Sequence, residues 1–91
     1  MDIYKELALK IIKAQEDIVG SVALDLAKKV PGIAFDASQN ITITGDQKDV
    51  INQLIKQYEN LFGLASIDAC KRATRKITLT LPKDQLPPLL A

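Results

Sequence analysis

The chain has 91 residues, and its composition excludes several classes of function before any motif is considered. It contains no histidine and a single cysteine, Cys70, so a Cys/His zinc site, a histidine-based catalytic triad and an intrachain disulfide all lack their residues. Twelve Lys and Arg residues against eleven Asp and Glu residues leave a net charge of +1, which argues against a chain that coats nucleic acid or an anionic membrane. We therefore expect one domain with no cofactor and no metal ion.

Charged residues are spread through the start of the chain, at Asp2, Lys5 and Glu6. No apolar run approaches the roughly 20 residues that a membrane-spanning helix needs. The pattern indicates neither a signal peptide nor a membrane anchor, and we expect a cytoplasmic protein.

Apolar residues repeat at helical spacing over the first third of the chain. The repeat predicts one helix over residues 3 to about 15, with Asp2 as its N-cap. A second run over residues 19–30 predicts another helix, or the continuation of the first beyond a bend at Gly20. The pair Pro31-Gly32 then acts as a stop signal.

The apolar period changes to two after this stop signal. Residues 33–36 and 41–44 alternate between apolar residues and small or polar ones, which predicts a β-hairpin with one apolar face. Asp46 follows the hairpin and is placed to cap a third helix, whose apolar stripe covers residues 50–62.

The last third of the chain predicts a fourth helix over about residues 64–74. A third strand follows, in which Ile77, Leu79 and Leu81 alternate with threonines.

These elements predict an α+β fold in the order ααββααβ. Four helices, forming two αα units, pack on one face of a three-stranded, mainly antiparallel sheet to give a two-layer domain. We place this domain at residues 1–82. Residues 83–91 form a tail rich in Pro and Leu, in which adjacent prolines prevent a regular element.

The chain also shows an internal similarity. Sliding it against itself by 43 positions aligns residues 5–30 with residues 48–73 without a gap. Identical pairs include Ile12 with Ile55, Gly20 with Gly63, Asp25 with Asp68, and Lys28 with Lys71. Helical periodicity does not require paired glycine, aspartate and lysine. We interpret the segments as duplicated αα units that bury their apolar stripes together about a pseudo-twofold axis, with chance similarity as the alternative.

Residues 18–59 combine Gly20-Ser21-Val22-Ala23, a helix, a hairpin and Gly45-Asp46 before a further helix. In this order of elements the segment resembles a KH domain. The resemblance implies nucleic-acid binding by a GxxG loop that clamps the backbone. Here Ala23 stands in place of the second glycine, and the loop has no Lys or Arg. A KH-like nucleic-acid-binding domain with a degenerate GxxG loop is therefore the alternative function.

A basic cluster is the first candidate for partner binding. Lys71, Arg72, Arg75 and Lys76 lie toward the C-terminal end of the fourth predicted helix, where cations complement the helix dipole. An acidic partner would fit this cluster, and a solvated helix end would give the same pattern.

The tail is the second candidate. Leu86, Leu89 and Leu90 lie beside two prolines, and exposed leucines of this kind can dock into a groove on a partner. Folding back over the sheet and disorder are the alternatives.

Other candidates are explained without chemistry. Asp25 and Asp68 each precede two cations by three and four residues, which is the spacing of solvent-exposed helical ion pairs. Cys70 pairs with Ala27 in the duplication, so we interpret it as a small core residue. No catalytic group is left. The function hypothesis is a small non-enzymatic protein–protein interaction or regulatory module that self-associates or docks on another protein.

Overall fold

The helices and strands are seen in a computed structural model that describes residues 3–38 and 40–90. In chain order they are α1 (Ile3–Val19), α2 (Val22–Lys28), β1 (Ile33–Phe35), β2 (Ile41–Ile43), α3 (Gln47–Phe62), α4 (Leu64–Thr78) and two 3-10 turns at Lys83–Gln85 and Pro88–Leu90. The Asp2 cap predicted for α1 lies outside the described residues.

The predicted β-hairpin and its apolar face are confirmed, and the structure adds the register. β1 and β2 pair antiparallel, with Ile33 opposite Ile43 and Phe35 opposite Ile41. Ile33, Ile41 and Ile43 are buried and Thr42 is exposed, as the alternation predicts. β1 packs against α2 and β2 against α1, so the hairpin closes one side of the helical core.

The prediction of a third strand, and with it of a three-stranded sheet, is wrong. Within the described residues the sheet has two strands, and Ile77 and Thr78 are the last residues of α4. Ile77 continues the buried helical stripe of Cys70 and Thr74, whereas Leu79 is 76% exposed. A strand would place Ile77 and Leu79 on one face. The β-branched residues favour a strand locally, but the apolar stripe of α4 extends one more turn and tertiary packing decides the outcome.

A glycine lies at the junction between the two helices of each αα unit, Gly20 followed by Ser21 in the first and Gly63 alone in the second. Gly20 and Gly63 both have φ of 77°, a conformation that side chains other than glycine rarely adopt. Each also donates its N–H to the carbonyl of the residue four positions earlier, Glu16 at 2.9 Å and Glu59 at 2.8 Å. α1 and α2 are therefore two helices rather than one bent helix.

The long helices α1 and α3 bury residues related by the 43-residue offset. The buried residues of α1 are Leu7, Ala8, Ile11, Ile12 and Gln15, and those of α3 are Val50, Ile51, Leu54, Ile55 and Tyr58. Every buried position in one helix thus has its counterpart in the other. Asp46 caps α3 as predicted, because its carboxylate accepts a hydrogen bond from the Asp49 N–H at 3.2 Å.

The two polar members of this set form reciprocal hydrogen bonds. Gln15 Nε2 donates to the Ser66 carbonyl at 3.2 Å, and the Tyr58 hydroxyl donates to the Ala23 carbonyl at 2.7 Å. Gln15 and Tyr58 are 43 positions apart, and so are Ala23 and Ser66. Each αα unit therefore holds the start of the other unit's second helix. The predicted pseudo-twofold relation between the units would produce such a pair of equivalent contacts.

Residues 83–90 pack onto the helices. The Tyr4 hydroxyl donates to the Gln85 carbonyl at 2.8 Å, and the Leu89 N–H donates to Asn52 Oδ1 at 2.9 Å. Leu90 is buried in the core cluster. The tail is therefore fixed to α1, to α3 and to the core.

Candidate functional site

An open depression on α4 gathers most of the predicted basic cluster. It has a volume of about 300 Å³ and is lined by Lys71, Arg72, Arg75, Thr78, Leu79 and Leu90. We call these six residues the basic pocket. Four of them lie on successive turns of α4, where residues three and four apart share a face, and Leu79 is the C-cap of that helix. The sixth, Leu90, comes from the tail.

The opposite face of α4 holds the basic pocket in place. Cys70, Thr74 and Ile77 are buried, and the Thr74 hydroxyl donates to the Cys70 carbonyl at 2.8 Å. Leu90 is only 7% exposed, so the tail side of the pocket is also fixed by packing. The backbone of the pocket is therefore fixed before a partner binds, and the exposed side chains of Lys71, Arg72, Arg75 and Leu79 are ordered on binding.

The predicted partner-binding residues divide into two groups. Lys71, Arg72, Arg75 and Leu90 lie together in the basic pocket. Lys76 is exposed on α4 outside the pocket lining, and Leu86 and Leu89 are half-buried where the tail packs down.

The residues that sequence reasoning missed are Thr78 and Leu79. The alternation with Ile77 and Leu81 predicts a strand for both, whereas Thr78 ends α4 and Leu79 is its C-cap, one turn beyond Arg75.

The electrostatics of the basic pocket favour an anionic group next to an apolar one. Its lining contains three cations and no carboxylate, and Asp68 is the nearest acidic residue before them on α4. Arginine side chains bind carboxylates with two parallel hydrogen bonds. Leu79, at 76% exposed, supplies apolar surface beside them. This arrangement can hold a carboxylate and a leucine-sized side chain together.

A second surface lies where the glycine junctions meet. Five large apolar side chains are exposed there: Ile18 at 62%, Val22 at 45%, Leu61 at 58%, Phe62 at 36% and Leu64 at 72%. We call this surface the apolar end. It also contains the GxxG-like loop at Gly20–Ala23.

The chain segments that carry the apolar end are acidic. Residues 14–27 and 57–70 contain no Lys or Arg. Their five carboxylates are Glu16, Asp17, Asp25, Glu59 and Asp68. Carboxylates repel phosphate groups, and this argues against nucleic-acid binding at the GxxG-like loop, Gly20–Ala23.

The remaining candidates lack the setting for chemistry. Burial raises the pKa of the Cys70 thiol to about 11, so the thiol is protonated at neutral pH, although the hydrogen bond from Gln15 Nε2 at 3.4 Å lowers the pKa slightly. Asp25 and Asp68 are exposed on α2 and α4. Among residues 3–38 and 40–90, no three His, Cys, Asp or Glu side chains are grouped so that they could hold a metal ion.

Another depression, of about 370 Å³, lies between α1, α2 and the hairpin. Its lining is Leu9, Ile12, Lys13, Glu16, Leu24 and Phe35. One cation and one carboxylate balance each other there, so it lacks the one-sided charge of the basic pocket.

Comparison with protein-family models, with curated proteins and with solved structures finds no match for this chain. In the described part of the chain, no helix has the length and apolar character needed to cross a bilayer.

Proposed function

We propose that this chain is a non-enzymatic interaction module that binds an acidic, leucine-bearing surface of a protein in the basic pocket. The observation that carries the proposal is the lining of that pocket, which Lys71, Arg72 and Arg75 share with the exposed Leu79 and which contains no carboxylate. The single cysteine, a buried free thiol, is consistent with a cytoplasmic setting.

The energy of such docking comes mainly from the leucine. Full burial of a leucine side chain contributes about 1.5–3 kcal/mol, and most of the surface of Leu79 is still exposed. Each exposed ion pair contributes only about 0.2–1 kcal/mol. The cations therefore select the partner and speed its association, while apolar contact holds it.

We set nucleic acid aside as the partner. Phosphate binding rests on cations, and the GxxG-like loop at Gly20–Ala23 carries none and lies among the carboxylates of the apolar end. The cations of α4 alone would bind phosphate weakly and would leave Leu79 without a role.

The test uses two synthetic amphipathic helical peptides of the same leucine pattern, one with glutamate and one with lysine on its polar face. Titrated into the ¹⁵N-labelled chain, the glutamate peptide should shift the amide signals of residues 71–79 and the tail. The lysine peptide should leave those signals in place.

Matched variants locate the site. The Arg75→Glu variant should lose binding of the glutamate peptide, because the reversed charge faces the peptide carboxylates. Lys13→Glu makes the same exchange on the exposed face of α1 and should bind like the wild type. Shifts that map elsewhere, or equal binding by Arg75→Glu, would remove the basic pocket from the proposal.

A further inference from the structure

The ends of all four helices that meet at the glycine junctions lie at one end of the domain. Gly20-Ser21 joins α1 to α2, and Gly63 joins α3 to α4. The Gln15–Ser66 hydrogen bond brings the end of α1 to the start of α4, and the Tyr58–Ala23 hydrogen bond brings the end of α3 to the start of α2. The exposed side chains of the two junctions therefore share one surface, the apolar end.

An exposed apolar surface of this kind indicates an interaction site. Leu64 is 72% exposed at the first residue of α4, and Leu61 is 58% exposed in the last turn of α3. Of the five carboxylates in the segments that carry these leucines, Glu16 and Asp17 line depressions together with Lys13. Asp25, Glu59 and Asp68 remain to select a cationic partner with apolar surface of its own.

We propose that this partner is a second copy of the chain, whose basic pocket receives the apolar end. The inference rests on the proposed function, since it gives the acidic, leucine-bearing partner of the basic pocket an identity. Leu64 is followed one turn later by Asp68, and Leu79 is preceded one turn earlier by Arg75. The two surfaces thus present the same pair of features with opposite charge.

The contact has to join different copies. Leu64 and Leu79 lie at opposite ends of α4, about 22 Å apart at a rise of about 1.5 Å per residue. One chain therefore cannot cover its own pocket with its own apolar end.

Contacts between like surfaces are disfavoured by charge. Two apolar ends would bring Asp25, Glu59 and Asp68 of each copy together, and two basic pockets would bring Lys71, Arg72 and Arg75 of each copy together. The head-to-tail contact pairs opposite charges instead, and it is heterologous.

Sedimentation velocity on variants with one disabled surface tests this directly. The apolar-end variant carries Leu61→Ser and Leu64→Ser, and the pocket variant carries Arg72→Glu and Arg75→Glu; all four side chains are exposed, so the fold should persist. The wild type should associate with rising concentration, and about 500 mM NaCl instead of about 50 mM should weaken this about tenfold or more.

Mixing gives the decisive result. Each variant alone should weaken association by about tenfold or more. An equimolar mixture should recover a one-to-one complex, because each variant keeps the surface that the other has lost. Leu9→Ser, on an exposed part of α1 outside both surfaces, should associate like the wild type.

Three outcomes would overturn the inference: a wild type that stays monomeric at every concentration, variants that associate as well as the wild type, or a mixture that forms no complex. If the wild type is monomeric and the glutamate peptide still binds in an Arg75-dependent way, the proposed function stands and the second copy is not the partner. If a lysine peptide binds the apolar end of a monomeric wild type, that surface has a different occupant.

Discussion

Removing the Tyr58 hydroxyl should destabilise the domain, whereas the equivalent change at Gln15 should not. In Tyr58→Phe, the ring stays in the core and only the 2.7 Å hydrogen bond to the Ala23 carbonyl is lost. A buried hydrogen bond of this kind contributes about 0.5–1.5 kcal/mol net. We expect a loss of about 1 kcal/mol, which lowers the melting temperature of a domain of this size by about 4–8 °C.

Gln15 occupies the matching position in α1, where its hydrogen bonds are long and its side-chain oxygen is unsatisfied. Its Nε2 makes two long hydrogen bonds, to the Ser66 carbonyl at 3.2 Å and to the Cys70 sulfur at 3.4 Å. Its Oε1 is buried and has no hydrogen-bond partner among the described residues. An unsatisfied buried acceptor is unfavourable by about 1–3 kcal/mol, which exceeds the net value of the long bonds. Gln15→Met should therefore equal or exceed the wild type in stability.

Urea unfolding followed by far-ultraviolet circular dichroism measures both variants against the wild type. The reasoning predicts a lower midpoint for Tyr58→Phe and an unchanged or higher midpoint for Gln15→Met, with equal slopes. A neutral Tyr58→Phe together with a strongly destabilised Gln15→Met would refute the described geometry of these hydrogen bonds.

Three further predictions concern stability. Gly32→Ala should lower the free energy of unfolding by about 2 kcal/mol or more, because Gly32 has φ of +93° and a Cβ there would lie 2.8 Å from the Thr44 carbonyl oxygen. Gly45→Ala is the control: Gly45 has φ of +84° but open space around it, so this variant should lose only about 1 kcal/mol in the same unfolding assay. Leu90→Ala should lower the free energy of unfolding by about 2–3 kcal/mol in the same assay, because Leu90 packs in the core. A loss near zero would show that the tail is not part of the core. Burial raises the pKa of the Cys70 thiol from 9.0 to about 11. The folded protein therefore keeps the full stability contribution of this thiol below pH 9 and loses it as the pH rises toward 11. Unfolding midpoints at several pH values should show this loss in the wild type and less of it in Cys70→Ala.

Helices and hairpin were predictable because burial leaves a period in the sequence. The stripe of α3 and the alternation around Ile33 and Ile43 each match one element type only. The segment from Ile77 to Leu81 matches two, since apolar residues with β-branched neighbours suit a strand while Ile77 also continues the stripe of α4. Only the packing of α4 on the core distinguishes them, and packing is a property of the whole fold.

The candidate site was predictable in its charges and not in its apolar part. Lys71, Arg72 and Arg75 are visible as a cluster in sequence, whereas the alternation around Leu79 predicts a strand that the structure lacks. The pair of hydrogen bonds made by Gln15 and Tyr58 also has a sequence signal. At the 43-residue offset, Gln15 aligns with Tyr58 in otherwise apolar stripes, and paired polar residues at core positions indicate partners inside the core.

Isotope-filtered nuclear Overhauser spectroscopy tests the docking of one copy on another most directly. Copies with ¹³C-labelled leucine methyl groups are mixed with unlabelled copies at a concentration where they associate, so that only contacts between copies are observed. We expect cross-peaks that join Leu64 of one copy to Leu79 or Leu90 of the other. Cross-peaks between Leu64 and Leu64, or none at all in an associated sample, would contradict the account.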